Sequence, residues 1–216
     1  MKTRRRRCRD ILKIVAMKGK ASLGDIRREL NAPPSTLSYW LNVLVWKGLL
    51  TKEGKGIYRL KRQTPLGFLS KNIPKAYVGL VGMRLGREKP EWITALEKLS
   101  KNCFIIEKVV LISSPKALSE WEEYHNPSIE WRVFAEDVLF SPKEAEKCIR
   151  KVLEEVAETH ALVADITSGP RTAGISLYRV ASEFYAPIIY LREDTQELVW
   201  IKTVEEIVKD YLKTVK

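Results

Sequence analysis

Ala161-Leu162-Val163-Ala164-Asp165-Ile166-Thr167-Ser168-Gly169-Pro170-Arg171-Thr172 decides how the larger part of this chain folds. An unbroken apolar run ends on an acid, two hydroxyls, a glycine and a proline. It reads as a strand buried on both faces, a sharp turn and the start of a helix. The same alternation spreads outward in both directions. Strands are expected at residues 76–81, 108–112, 129–135, 161–166, 187–191 and 198–201. Helices are expected at 91–101, 114–124, 142–159 with Ser141 as its cap, 171–185 and 204–215. Short, apolar, β-branched strands separated by helices imply an α/β fold, a six-stranded, mostly parallel sheet covered on both faces. Ligands of such sheets bind outside the carboxyl ends of the strands.

Two strand ends attract attention. After the first comes Gly82-Met83-Arg84-Leu85-Gly86-Arg87, and after the fourth comes Thr167-Ser168-Gly169-Pro170-Arg171 at a helix start. Hydroxyls, a glycine and backbone N–H groups there form an anion site, and Arg171 adds a fork of donors. The bland reading is that Thr167 and Ser168 cap the helix and Asp165 fixes the turn. Neither loop has the spacing of a dinucleotide or P-loop motif.

Before this sheet lies a segment of different character. Residues 1–62 hold 17 Lys or Arg against 4 Asp or Glu, a balance of +13, whereas residues 63–216 hold 21 against 23, a balance of −2. A basic excess confined to one segment is the footprint of a polyanion-binding module. Residues 5–17 read as a helix stopped by Gly19, Ser22 caps a second helix over 23–30, and Pro34 opens a third, running to residue 47. Leu37, Leu41 and Leu44 make the buried stripe of that third helix. Ser35, Thr36, Ser38, Tyr39 and Asn42 fall opposite, an acid-free face of groups that hydrogen-bond to phosphates and base edges. A hairpin of residues 49–52 and 56–60 follows, turning at Glu53-Gly54-Lys55 and carrying Lys52, Lys55, Arg59, Lys61 and Arg62. The run Arg4-Arg5-Arg6-Arg7 reads as an arm toward phosphate or minor groove, or as a charged tail.

Three helices and a basic hairpin resemble the winged helix-turn-helix family over about residues 5–62. The phrase Ser35-Thr36-Leu37-Ser38-Tyr39-Trp40-Leu41 and the later Gly48-Leu49-Leu50 carry that likeness. It implies double-stranded DNA as partner, with the third helix in the major groove and the wing, Lys55 included, along the backbone.

Residues 63–74, with Pro65, Gly67 and Pro74, read as a linker holding one helical turn near 66–69, so the expected domains are 1–62 and 75–216. Cys8, Cys103 and Cys148 are far apart, and the latter two are expected to be buried thiols of a reducing cytoplasm. His125 and His160 do not cluster with them as metal ligands would, and His160 is expected to sit as a cation-capable residue at a helix C-terminus. No apolar run is long enough to span a membrane, and no signal peptide is recognised.

The phrase from Asp165 to Arg171 is similar to the signature of CARF domains, the CRISPR-associated Rossmann fold. Asp165, Ile166, Thr167 and Gly169 match, Arg171 stands for the family's lysine, and Ser168 and Pro170 depart from its pattern. The resemblance covers about residues 75–195, with Gly82, Met83 and Arg84 where the family's other ligand loop falls. It implies a Rossmann-like two-fold homodimer that binds cyclic oligoadenylate across its axis on Thr167, Ser168, Gly169, Pro170 and Arg171. No cofactor, metal or catalytic residue is expected. Joined to the basic module, it reads as a CRISPR-associated transcription regulator in antiviral defence. The domain order, reader first, is the reverse of the usual one. Two alternatives stay open: slow cleavage of the ring by the pocket, and a scaffold without ligand. A fused ribonuclease is not expected, because no arginine stands four to six intervening residues before either histidine.

Overall fold

The computed structural model describes residues 2–215, with side chains from Arg7 onward. The chain opens with α1 (Lys2–Lys18), β1 (Lys20–Ser22), α2 (Leu23–Leu30), α3 (Pro34–Trp46), β2 (Leu50–Glu53) and β3 (Ile57–Leu60). The three strands form an antiparallel sheet in the order β1-β3-β2. The helix is already formed at the arginine run. The side chains of Arg4, Arg5 and Arg6 lie outside those described, and Arg7 is exposed.

Local chemistry explains the breaks. The Ser22 hydroxyl accepts from the Asp25 amide at 3.0 Å while the Ser22 amide donates back to Asp25 at 2.9 Å, a reciprocal cap on α2. Those Ser22 bonds, with Arg28 beside them, hold the Asp25 carboxyl down at about 2. Asn31, at φ 44°, ends the helix. Helix α3 buries Leu37, Leu41 and Leu44 against Ile11, Leu12 and Ile26. β1 escaped the sequence reading because it has three residues and only Ala21 buried.

The larger part runs β4 (Lys75–Leu80), α4 (Glu91–Lys101), β5 (Lys108–Ser113), α5 (Pro115–Ser119), a 3-10 turn (Glu122–Tyr124), β6 (Ile129–Val133), α6 (Glu136–Phe140), α7 (Pro142–Ala157), β7 (Ala161–Asp165), α8 (Arg171–Glu183), β8 (Ile188–Leu191), β9 (Leu198–Lys202) and α9 (Val204–Thr214). The sheet order is β6-β5-β4-β7-β8-β9, parallel except for β8 with β9. It is the expected Rossmann-like α/β sheet of six strands. Alternation along β4 divides its side chains: Ala76, Val78 and Leu80 join the core under α7 and α8, and Tyr77 joins the core with Trp92 of α4.

Several expectations need correction. The helix expected over 114–124 stops at Ser119, because Trp121 turns inward and is 1 % exposed. The helix expected from 142 is joined by the short α6 before it, and Ser141 makes no side-chain cap. Cys8 is the buried thiol, Cys103 is exposed and Cys148 half-buried. Burial and the nearby Lys108 push the His160 ring down, toward its neutral form.

The segment expected as a linker is built into the fold. Gln63 through Gly67 are buried, the Gln63 amide donates to the Ala157 carbonyl at 2.6 Å, and the Leu162 amide donates to the Thr64 hydroxyl at 2.9 Å. Leu66, on a 3-10 turn (Leu66–Leu69), packs into the core of the first module. Val208, Tyr211, Leu212 and Val215 return from α9 and its end to that same core. The joint and the last helix of the larger part therefore pack into the core of the first module.

Candidate functional site

From β4 the chain moves to β5 and β6 on one side, and from β7 to β8 on the other. The point where the direction reverses lies between the carboxyl ends of β4 and β7. Helices after those two strands leave toward opposite faces, so a crevice opens there. It measures about 330 Å³ and lies between the loop after β4, the loop after β7, the start of α5 and the end of α6.

Asp165 ends β7 at the floor and is 2 % exposed. It accepts from the Thr167 amide at 2.8 Å, from the Thr167 hydroxyl and from the Tyr77 hydroxyl. Burial pushes its carboxyl up, opposed by these donors. Burial also pushes the Tyr77 phenol well above its ordinary value, and the neighbouring Asp165 adds to that. Tyr77 reaches Asp165 because Gly79 leaves room: a Cβ there would lie 2.7 Å from the Tyr77 ring.

The Thr167 hydroxyl is committed to the scaffold, since it also accepts from the Leu191 amide at 2.8 Å. The Ser168 hydroxyl lines the crevice and has no partner within the described residues. Gly169, at φ 86°, packs where a Cβ would lie 2.9 Å from Leu80. Pro170 precedes the first turn of α8 and supplies no amide donor.

Of the eight ligand residues expected, the crevice brings six together: Gly82, Met83, Thr167, Ser168, Gly169 and Pro170. The other two point elsewhere. Arg84 pairs with Glu123 at 2.6 Å and lies over the Trp121 ring. Arg171 is exposed and outside the lining. The sequence reading included Arg87 only as part of the first loop and missed Glu91, Lys116, Glu136, Phe140 and Glu193, which line the crevice from segments far apart in the chain. Arg87 is held by Glu91 at 2.9 Å and by Glu193 at 3.0 Å. The walls thus carry two cations and three acids. No group of three or more metal-ligating side chains occurs among the described residues.

On the first module, Ser35, Tyr39 and Asn42 are exposed on α3, Thr36 and Ser38 are half-buried beside them, and Lys55 is exposed at the hairpin tip. Lys20 and Arg59 both hold Glu53 at 2.6 Å, which neutralises the hairpin's acid. Among the described residues no helix is long and apolar enough to cross a membrane.

No protein-family model matches this chain, and no curated protein matches it. Among solved structures, it is similar to Can2 from Sulfobacillus thermosulfidooxidans in complex with cyclic tetra-adenylate, at 13% identity and a TM-score of 0.44 over 59% of this chain and 34% of that one. It is similar to protein VC1899 from Vibrio cholerae, at 15% identity and a TM-score of 0.45 over 59% and 33%. It is also similar to Enterococcus italicus Csm6 bound to cyclic hexa-2′-fluoro-hexa-dAMP, at 11% identity and a TM-score of 0.47 over 67% and 41%. The matched part thus spans well under half the length of each of these chains.

Proposed function

We propose that this chain is a DNA-binding transcription regulator whose sheet domain pairs with a second copy and senses a small nucleotide anion of the cyclic oligoadenylate class. The carrying observation is the crevice at the reversal of strand order. There the unpartnered Ser168 hydroxyl, Gly169 and Pro170, the residue before α8, line one space. The resemblance of Asp165 through Gly169 to the CARF signature supports the ligand class. The outer face of α8, with Ile175 63% and Tyr178 37% exposed, and Phe140 beside the crevice at 61%, supports pairing through this region. The basic first module with its acid-free α3 face supports duplex DNA as partner.

A ligand shared by two subunits controls DNA affinity only if it binds one inter-subunit geometry better than another. The half-sites would then be about one helical turn apart. The test is duplex binding with and without cyclic tetra-adenylate. A shifted affinity supports the reading. Unchanged affinity removes ligand control, and absent DNA binding removes the regulator.

A scaffold without ligand is a second reading, favoured by the three acids on the walls and by the amide missing at Pro170. Titration of the protein with the ring separates the two, since a scaffold gives no binding.

A further inference from the structure

Trp46 ends α3 and is 86% exposed, the highest exposure among the large apolar side chains described. Its position on the helix is not incidental. Leu37, Trp40, Leu41 and Leu44 face the core, and Ser35, Tyr39, Asn42 and Trp46, spaced four, three and four residues apart, fall along the opposite line. Helix α3 carries no charged side chain, while the segment around it is strongly basic, so the stripe is apolar and hydrogen-bonding within a cationic surround. A nucleic acid complements that combination: phosphates meet the flanking Lys and Arg, and the stripe meets the bases.

Base edges in an intact groove offer polar atoms and the thymine methyl, but no π face for an indole to stack on. The face of an unstacked base offers a π surface, and aromatic side chains in basic surroundings hold bases this way. Resting on the reading of this module as a nucleic-acid binder, we propose that Trp46 is a stacking residue for an exposed nucleobase. Its contribution is separate from the hydrogen bonding of Ser35, Tyr39 and Asn42. An exposed base face has two sources, an opened step in a duplex or a single strand.

The test measures affinity of the full chain, at one salt concentration, for three labelled probes: an intact duplex, the same duplex with one unpaired adenine, and one strand alone. Wild type, Trp46→Ala and Trp46→Phe are compared, with thermal unfolding to confirm that each folds. The expected result is that Trp46→Ala weakens binding to one of the last two probes by roughly 5- to 150-fold, the range for one stacked base, while Trp46→Phe keeps part of it. The intact duplex should change much less. Loss on the unpaired-base probe assigns an opened duplex step, and loss on the strand alone assigns single strands. Equal affinity of all three proteins for every probe overturns the stacking role, and salt-dependent duplex binding in that same experiment would leave the nucleic-acid reading standing. Conversion of a dimer to a monomer by Trp46→Ala, with unchanged nucleic-acid affinity, also overturns it by assigning the stripe to a second copy. Absence of binding to any probe overturns both.

Discussion

A side chain on Gly82 would press on the Gly169 backbone nitrogen: its Cβ would lie 2.9 Å away. The loops after β4 and β7 therefore meet backbone to backbone at the reversal of strand order, and the crevice opens beside that contact. Gly82→Ala should push them apart. The expected cost is about 1–3 kcal/mol, as for other overpacked interiors, together with weaker binding of cyclic tetra-adenylate. Urea unfolding and calorimetric titration of the variant check both. Native stability with native affinity would show that the loops tolerate separation.

Tyr77→Phe removes one donor from a carboxyl that is 2 % exposed. Leaving a buried acceptor short of a partner costs about 1–3 kcal/mol. Its folded pKa is already raised, so Asp165 contributes stability below its unfolded value that is lost as pH rises through its folded value. Losing the Tyr77 donor raises that folded value further and leaves the ionised form worse off. The variant should lose more denaturant stability at neutral pH than at pH near the ordinary aspartate value, as chemical unfolding at the two pH values would show.

Glu193→Gln should strengthen ligand binding. Glu193 is one of two acids holding Arg87, its side chain is 65% exposed, and it lines the crevice. Removing its charge frees the guanidinium for an anion. A screened surface pair of this kind corresponds to a gain of up to about fivefold in affinity for cyclic tetra-adenylate. Weaker binding would mean that Arg87 acts only as a brace between its own loop and the loop after β8.

Tyr211 of α9 packs against Tyr185 and the core of the first module. Burial, with Tyr185 beside it, pushes its phenol up to about 12. An unfolded tyrosine ionises near about 10, so the unfolded chain loses this proton first. The stability that Tyr211 contributes is therefore full below about pH 10 and is lost as pH rises toward 12. Between pH 9 and 11 the wild-type urea midpoint should fall further than that of Tyr211→Phe. Parallel curves would contradict the burial of this ring.

Leu66→Ala tests the packing of the joint. Leu66 is 1 % exposed and packs from the joint into the first module. A cost of about 2–5 kcal/mol is expected, with one cooperative transition moving as a unit in calorimetry. Two separate transitions, only one of them shifted, would show that the parts fold independently.

The sheet was legible in the sequence because a parallel sheet covered on both faces writes continuous apolar runs. Ala161 through Asp165 and the helix from Arg171 stand where that pattern places them. The loops were legible for the same reason, as the first polar residues after such runs. Side-chain direction was not. Arg84 turns to Glu123 and Arg171 to solvent, and nothing in their local sequence marks either choice. Arg87 meets Glu193 across 106 residues of chain, a pairing set by the order of strands rather than by spacing. The joint misled because Pro65 and Gly67 read as breaks, yet Gly67 is small so that Ile73 and Ala161 can close on it.

The central claim is that two copies of the switch-point crevice hold one nucleotide ring. Calorimetric titration of the full chain with cyclic tetra-adenylate tests it most directly. The account predicts saturable binding at one ring per two chains, abolished or strongly weakened when a bulky side chain replaces Gly169. No heat of binding, or one ring per single chain with the same affinity in the Gly169 variant, would contradict it.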